Sequence, residues 1–216
     1  MKEDIAIYGA GGFARETLWL LESFLNEKYN VTAFVVDDGY YEAAPKELCG
    51  KPVYSEGFLL SSKSRLAVAL AFGQPEGRKR TFNKLKNGNK NLFFPVLVHP
   101  TTILAPDVEI GEGTIIRGSG LLSVGVKVGR GVLINGSNNL GHDVIVEDFC
   151  SIMPRCTISG NVTIGECTSI GATSFIIEKK HIGRESIIAP GSIVLKSFPD
   201  KVTVMGNPAK VYLRHN

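Results

Sequence analysis

Residues 140–175 read LGHDVI VEDFCS IMPRCT ISGNVT IGECTS IGATSF, and each group of six begins with Leu, Val or Ile. The spacing continues in both directions, so that every sixth residue from Val98 to Val194 is Ile, Leu or Val. A helix repeats every 3.6 residues and a strand every two, and neither period predicts this pattern. A six-residue repeat instead predicts a parallel β-helix, in which each hexapeptide forms one flat face of a coil.

The repeat also predicts the size of the β-helix. Three faces close a coil of about eighteen residues, and residues 98–194 therefore supply a little over five coils. Stacked at roughly 4.8 Å per coil, they form a prism about 25 Å tall. The residue after the repeat aliphatic is often Gly, as at Gly111, Gly129 and Gly141. We expect these glycines at tight corners.

The chain before residue 98 has a different pattern. Apolar strands are predicted over residues 5–8, 31–36 and 66–72, with helices after the first and the third. Such alternation is typical of a small parallel sheet with helices on its faces. We therefore predict an α/β, Rossmann-like domain at residues 1–97, an all-β parallel β-helix at 98–198 and a C-terminal cap or tail at 199–216.

Composition excludes several classes of protein. The net charge of +3 is too small to indicate a nucleic-acid partner. No apolar run approaches twenty residues, and the charged first residues lead directly into a strand, so we expect a cytoplasmic protein without membrane insertion. Cys150 and Cys156 occupy the small inward position of the repeat and are expected to be buried structural thiols. Asn138 occupies the same position, where its amide should satisfy backbone groups of neighbouring coils.

His142 is the candidate catalytic residue. It follows Leu140 by two positions, on the outward side of the coil, and precedes Asp143. An imidazole oriented by a carboxylate can act as a general base near neutral pH. Neighbouring residues of a strand point to opposite faces, so the two side chains can meet only near a corner. The alternative is a solvated surface histidine without a catalytic role.

A metal site is not predicted. A zinc enzyme needs about three converging imidazoles, whereas His142 and His181 lie more than two coils apart. A zinc hydratase of the same fold would therefore require stoichiometric metal in the purified protein.

The N-terminal segment contains a candidate nucleotide site. Residues 9–14, GAGGFA, match the G-x-G-x-x-G/A pattern between a strand and a helix, where a backbone can approach a phosphate. Asp37 ends the next strand and can bind a ribose or a base. Only half of a doubly wound sheet fits before residue 98, which favours a mononucleotide. The alternative is a tight β–α turn and a polar strand end.

Together, these features resemble a known family. The hexapeptide register, the pair His142–Asp143, Asn135 and the late segment 206–209, GNPA, are similar to sugar O- and N-acetyltransferases. The N-terminal segments YGAGG at 8–12, VDD at 36–38 and FGQPEGRK at 72–79 extend the resemblance over nearly the whole chain. The group is the sialic acid O-acetyltransferase family, which includes the UDP-4-amino-sugar N-acetyltransferases of bacterial glycan synthesis.

The resemblance implies a left-handed β-helix, a homotrimer and acetyl-CoA as the co-substrate, bound between neighbouring prisms. It implies acetyl transfer to an amino or hydroxyl group of a nucleotide-linked sugar, with His142 as general base and Asp143 as its partner. The implied cofactor contacts are Gly160, Ala172, Ala189, Pro190, Gly206 and Pro208. The implied contacts to the nucleotide-sugar acceptor are Gly9, Gly11, Gly12, Asp37, Gly73 and Asn135.

Two residues depart from the family pattern. Ser151 replaces a second His nine residues after the first, and Gly136 replaces a common Thr. Both changes are expected near the acceptor site, and they leave amine and hydroxyl acceptors open. They also favour an alternative in which the β-helix is a trimeric, non-catalytic scaffold for a nucleotide-sugar-binding domain.

Overall fold

The computed structural model describes residues 2–215. The chain divides into two compact units, one ending at Pro95 and one beginning at Val96. This division falls just before the predicted boundary between residues 97 and 98. Leu97 and Val98 already pair with a strand of the first full coil. The C-terminal segment predicted as a separate cap lies in the same unit as the coils.

The first unit is a six-stranded sheet with helices between its strands. Its strand order is β3-β4-β2-β1-β5-β6, and only the β3–β4 pair is antiparallel. The elements are β1 (Glu3–Tyr8), α1 (Gly12–Phe24), β2 (Tyr29–Val36), α2 (Asp38–Tyr41), β3 (Glu47–Leu48), β4 (Lys51–Ser55), α3 (Gly57–Leu60), β5 (Leu66–Leu70), α4 (Pro75–Gly88) and β6 (Leu92–Phe93).

The predicted strands and helices of this unit are present, and Pro75 begins α4 as expected. The sequence pattern did not indicate α2, β3, β4 and α3. The β3–β4 hairpin turns at Cys49 and Gly50, whose φ values are 49° and 74°. Positive φ at both turn residues is typical of a two-residue hairpin. The strands are short and carry Lys, Pro and Glu, so no apolar alternation marks them.

The second unit is a three-sided parallel β-helix. Residues eighteen apart pair in register, as Ile116 does with Ile134. The first face contains β7 (Leu97–Val98), β10 (Ile115–Ile116), β13 (Leu133–Ile134), β16 (Ser151–Ile152), β19 (Ser169–Ile170), β22 (Ile187–Ile188), β24 (Val202–Gly206) and β25 (Ala209–Arg214). The second face contains β8 (Ile103–Leu104), β11 (Leu121–Leu122), β14 (Asn139–Leu140), β17 (Thr157–Ile158), β20 (Phe175–Ile176) and β23 (Ile193–Val194). The third contains β9 (Glu109–Ile110), β12 (Lys127–Val128), β15 (Ile145–Val146), β18 (Thr163–Ile164) and β21 (His181–Ile182).

The repeat aliphatics form the core of the prism, as predicted. From Ile116 to Val194 each is buried, whereas Leu104 keeps 37% of its surface exposed. β8 ends its sheet, so Leu104 lacks a coil on one side. Burying each of these side chains contributes roughly 1.5–3 kcal/mol to folding.

The corners show a second six-residue register that we did not predict. Three residues after each repeat aliphatic from Ile110 to Ile188, the chain has positive φ, whether the residue is Gly, Phe149 or Thr173. The glycines directly after the aliphatics do not form these corners, contrary to our expectation. They are required because neighbouring coils pack closely against them. A Cβ at Gly141 would lie 2.7 Å from the backbone nitrogen of Gly160 in the next coil. These glycines permit close stacking of coils, whereas the left-handed corners lie two residues later.

Small side chains at the second inward position bind backbone groups of the next coil. Cys150 and Cys156 are fully buried, and their thiols donate to the carbonyls of Gly165 and Gly171 at 3.1 Å. Asn138 is also fully buried. Its amide nitrogen donates to the Asn135 carbonyl at 2.6 Å, and its oxygen accepts from the Cys156 N–H at 2.7 Å. Both expectations for this position are confirmed.

The C-terminal segment continues the β-helix as sheet. β24 pairs in parallel with β22, and β25 then pairs antiparallel with β24. Phe198, Val202, Val204 and Ala209 are buried in the same core as the repeat aliphatics. The segment therefore covers the last coil with its own side chains, as the end of a solenoid requires.

Candidate active site

His142 and Asp143 lie at the corner between the second and third faces, between β14 and β15. Asp143 has φ 58°, one of the left-handed corner residues. This conformation breaks the strand alternation and turns both side chains outward. Nδ1 of His142 lies 2.9 Å from Oδ2 of Asp143, and each side chain is more than half exposed. Neighbouring side chains were expected to meet only near a corner, and His142 and Asp143 lie at one.

The pairing has a consequence for the imidazole tautomer. An ionised carboxylate only accepts hydrogen bonds, so Nδ1 carries the proton in this contact. In the neutral imidazole, Nε2 then carries the lone pair and is the atom that can take a proton. The arrangement is that of a general base oriented by an acid.

Two glycines, one coil away on either side, make room for the pair. A Cβ at Gly160 would lie 2.6 Å from Cε1 of His142, and a Cβ at Gly125 would lie 2.5 Å from Oδ1 of Asp143. Gly160 was singled out above as a cofactor contact, and Gly125 was missed. Residues eighteen positions from Asp143 stack on it in the neighbouring coils. This spacing would have identified Gly125 from the sequence.

Asn161 is a second neighbour that the sequence analysis missed. It lies one coil beyond Asp143 at the same corner, with φ 58°. Its backbone N–H donates to the His142 carbonyl at 2.9 Å, and its Nδ2 lies 3.4 Å from Nδ1 of His142. The imidazole therefore has two polar partners at one nitrogen.

Asn135 lies at a different corner, between the first and second faces. Nη1 of Arg117 lies 3.1 Å from its Oδ1, and its Nδ2 lies 3.7 Å from the sulfur of Met153. Arg is only a donor, so the amide oxygen faces Arg117 and Nδ2 is the donor toward Met153.

The predicted cofactor contacts are divided between corners as well. Gly160 stacks against His142 at the second-to-third corner. Ala172, Ala189 and Pro190 follow β19 and β22 at the first-to-second corner, where Asn135 also lies. Gly206 and Pro208 form the turn between β24 and β25, with a cis Asn207–Pro208 peptide bond.

The two departures from the family pattern lie apart from His142 within one chain. Ser151 is in β16 on the first face and is fully buried. A Cβ at Gly136 would lie 2.9 Å from the carbonyl oxygen of Arg117, so the coil below favours glycine there. Gly136 directly follows Asn135, so within one chain these positions lie nearer to the predicted acceptor contact Asn135 than to His142.

In the first unit, the glycine turn and Asp37 lie at the carboxyl edge of the parallel strands. Gly9 has φ 124°, and a Cβ there would lie 2.8 Å from the carbonyl oxygen of Ala71. Cβ atoms at Gly11, Gly12 or Gly73 would meet no atom within 4 Å, so this edge is open. Oδ1 of Asp37 accepts from the Gly39 N–H at 2.9 Å and caps α2.

A buried charged cluster at the same edge was not anticipated. Glu56, only 1% exposed, accepts from the Tyr8 hydroxyl at 3.0 Å and pairs with Lys84. Burial and then the Glu56 charge raise the pKa of Tyr8, and the hydrogen bond to Glu56 raises the pKa of Lys84. Tyr8 therefore stays neutral and Lys84 stays charged throughout the physiological range. Glu56 follows β4, a strand without a sequence signal, so nothing marked it.

Among residues 2–215, no three His, Cys, Asp or Glu side chains converge as a metal ion would require. Over the same range, no helix has the length and apolar character needed to cross a membrane.

Comparisons with known proteins agree with this architecture. Residues 4–85 match the model of the PglD N-terminal domain. The acetyltransferase domain of PglB from Neisseria gonorrhoeae FA1090, solved in complex with acetyl coenzyme A, is 27% identical and has a TM-score of 0.86. The match covers 98% of this chain and all of that one. WeeI from Acinetobacter baumannii AYE is 26% identical, with a TM-score of 0.82 over 97% of this chain and all of that one.

PerB from Caulobacter crescentus, solved with CoA and GDP-perosamine, shows the same fold. It has a TM-score of 0.87 and 24% identity over 97% of each chain. Curated relatives match a shorter part. The acyl-[acyl-carrier-protein]–UDP-N-acetylglucosamine O-acyltransferase of Stutzerimonas stutzeri (strain A1501) is 29% identical over 33% of this chain, which spans 28% of that protein.

The predicted fold class is therefore confirmed, a small α/β parallel-sheet domain followed by a left-handed β-helix. Residues 4–85 are thus similar to the PglD N-terminal domain, and the chain is similar over its whole length to the acetyltransferase domain of PglB.

Proposed function

We propose that this protein transfers the acetyl group of acetyl-CoA to an amino group of a nucleotide-linked sugar, with His142 as the general base. The observation that carries the proposal is the exposed His142–Asp143 pair with Nδ1 and Oδ2 2.9 Å apart. It lies in a chain that resembles, over its whole length, a domain solved with acetyl coenzyme A.

The reaction is a direct transfer. The acceptor nitrogen attacks the thioester carbonyl and gives a proton to Nε2 of His142, while Asp143 stabilises the imidazolium that forms. A backbone N–H of a coil stabilises the charge on the thioester oxygen. The C–S bond then breaks, and the imidazolium returns its proton to the leaving thiolate, which yields free CoA and the N-acetylated sugar. Cys150 and Cys156 are fully buried in the core, so we assign no acyl-enzyme to them.

The distribution of the candidate residues supports a site built from two chains. His142 and Gly160 lie at one corner of the prism, whereas Asn135, Ala172 and Ala189–Pro190 lie at another. A homotrimer of parallel prisms brings such corners of neighbouring chains together, with acetyl-CoA in the cleft between them. The open glycine edge of the first unit, with Asp37, is the candidate site for the nucleotide.

The test is thiol release from acetyl-CoA, followed with a panel of nucleotide-linked amino sugars and their hydroxyl counterparts. We expect turnover with an amino sugar and a loss of about 10²–10⁴-fold in kcat for His142→Ala. Sedimentation should give the same oligomer for both proteins. His181→Ala is the matched control, because His181 is also exposed but lies on the third face, away from the corner pair.

Two results would oppose the proposal. Near-normal turnover of His142→Ala on the preferred acceptor would remove the base assignment. No binding of acetyl-CoA to the wild-type protein in calorimetry would favour the non-catalytic scaffold.

A further inference from the structure

Nδ1 of His142 lies near two side chains that require opposite protonation states of this nitrogen. Oδ2 of Asp143 is 2.9 Å away and Nδ2 of Asn161 is 3.4 Å away. A carboxylate requires a proton on Nδ1, whereas an amide N–H requires a lone pair there. One imidazole nitrogen cannot meet both demands at once.

The hydrogen bond to the charged Asp143 determines whether Nδ1 is protonated. A hydrogen bond to an ionised group is stronger than one between neutral groups, and the Asp143 contact is also the shorter. Nδ1 therefore keeps its proton, and the amide of Asn161 must present its other atom. A half-turn about the Cβ–Cγ bond exchanges Nδ2 and Oδ1 in space, which places an acceptor beside Nδ1–H.

The backbone holds Asn161 in place for this contact. Asn161 occupies the left-handed corner position, which asparagine tolerates better than most residues. Its N–H bond to the His142 carbonyl at 2.9 Å fixes the register of the two coils. Gly160, directly before it, carries no side chain that would push the imidazole away from this partner.

Other charged residues occupy the same corner. Asp107 accepts from the Gly125 N–H at 2.9 Å and lies two coils from Asp143, on the side away from Asn161. Glu178 and Lys179 follow one coil beyond Gly160 and Asn161, where the Lys179 N–H donates to the Gly160 carbonyl at 3.0 Å. Among the hydrogen bonds and ion pairs described for Nδ1 of His142, Asp143 and Asn161 are the two partners.

We propose that Asn161 is a positioning residue whose amide oxygen is the second acceptor for Nδ1–H of His142. With Asp143 it keeps the neutral imidazole in the tautomer whose Nε2 can accept a proton. The catalytic meaning of this role rests on the proposed function, but the tautomer itself can be measured without any substrate.

The experiment compares Asn161→Leu and Asn161→Asp in the full-length protein with ¹⁵N-labelled histidine. Long-range ¹H–¹⁵N spectra report the ratio of the Nδ1–H to the Nε2–H tautomer of His142. Leu removes both amide atoms at similar volume, and we expect the ratio to fall about two- to tenfold, as the loss of one neutral hydrogen bond implies. Asp can only accept when ionised, so it should keep the ratio at or above the wild-type value.

In acetyl transfer, Asn161→Leu should lower kcat by a similar two- to tenfold factor and leave the KM for acetyl-CoA unchanged. Arg155→Leu is the control for backbone strain, because Arg155 is exposed and has φ 62° at another corner. It should leave the tautomer ratio of His142 unaltered.

The proposal is overturned if Asn161→Leu keeps or raises the ratio, or if Asn161→Asp lowers it as Leu does. If the ratio changes as expected while the wild-type protein transfers no acetyl group, the positioning role stands and the proposed function fails.

Discussion

The imidazole of His142 occupies the place of a Cβ at Gly160 in the next coil, since an added Cβ would meet Nε2 and would lie 2.6 Å from Cε1. In Gly160→Ala the imidazole must move, because it is the end of an exposed and rotatable side chain. We expect kcat to fall by about 10²-fold, as displacements near 1 Å of a reacting group can cause. The unfolding midpoint should change little, since the imidazole yields and the coils do not.

Gly141→Ala, in contrast, should lower the stability of the protein. There the added Cβ would lie 2.7 Å from the backbone nitrogen of Gly160, in the corner turn after β17, and this backbone cannot rotate away as an exposed side chain can. We expect a loss of about 1–3 kcal/mol in the free energy of unfolding, measured by denaturant titration. If Gly160→Ala were as destabilising as Gly141→Ala, the steric argument for an activity effect would be wrong.

Asp143→Asn tests the orientation of the imidazole. Asparagine tolerates the φ of 58° at this corner, so the backbone should be preserved. Its amide N–H can donate to Nδ1 and favour the tautomer in which Nε2 is protonated and cannot act as a base. We expect kcat to fall by about 10²–10⁴-fold, by analogy with the same change in a serine protease triad.

The readout is kcat for acetyl transfer together with the circular dichroism spectrum of the variant. An unchanged spectrum with lost activity supports the tautomer argument. Retained activity would show that Asp143 is a solvated neighbour rather than a partner of His142.

The repeat predicted the fold because burial of one aliphatic in six is a local requirement of every coil. The same register placed Asn138, Cys150 and Cys156 correctly at inward positions. It could also have identified Gly125 and Asn161, since each lies eighteen residues from Asp143 and stacks on it.

Other parts of the site could not be predicted. Glu56 becomes a buried ion-pair partner only because β4 places it at the carboxyl edge, and β4 has no periodic signal. The restriction at Gly136 comes from the Arg117 carbonyl, a contact between coils that residue types do not reveal. The left-handed φ of Phe149 is imposed by coil closure against the preference of an aromatic residue.

The cysteines give a prediction about thiol reactivity. Cys49 is exposed, whereas Cys150, Cys156 and Cys167 are buried. Burial raises the pKa of Cys156 to about 11, so its reactive thiolate is scarce at pH 8. We expect iodoacetamide to modify Cys49 alone in the native protein, and all four thiols in denaturant. Mass spectrometry of labelled peptides measures this, and native labelling of Cys156 would contradict the described core.

Asn138 should be important for stability rather than for catalysis. Asn138→Leu leaves the Asn135 carbonyl and the Cys156 N–H without their amide partner inside the core. Each buried group left unsatisfied costs about 1–3 kcal/mol, so we expect a loss of roughly 2–6 kcal/mol in the free energy of unfolding. Asn139→Leu is the control, because Asn139 is the next residue but is exposed. Equal effects in the two variants would show that the buried amide is not the cause.

His99 gives a prediction about pH. Burial, and then the positive charge of Arg117, lower its pKa below the ordinary value of 6.5. Its Nδ1 already accepts from the Thr101 N–H at 3.2 Å, which requires the unprotonated nitrogen. The unfolded chain therefore binds a proton at His99 more readily than the folded chain does. The contribution of His99 to stability is fully present above pH 6.5 and is lost as the pH falls through the lowered folded pKa.

We expect the unfolding midpoint in denaturant to decrease between about pH 7 and pH 5.5, before most carboxylates titrate. His99→Asn should reduce this slope, because an amide oxygen can still accept from the Thr101 N–H but has no proton to gain. His181→Asn, at an exposed position on the third face, should leave the slope as it is in the wild-type protein. If His99→Asn and the wild-type protein lose stability in parallel over this range, the acid sensitivity arises elsewhere, and His99 is protonated as readily in the folded chain as in the unfolded one.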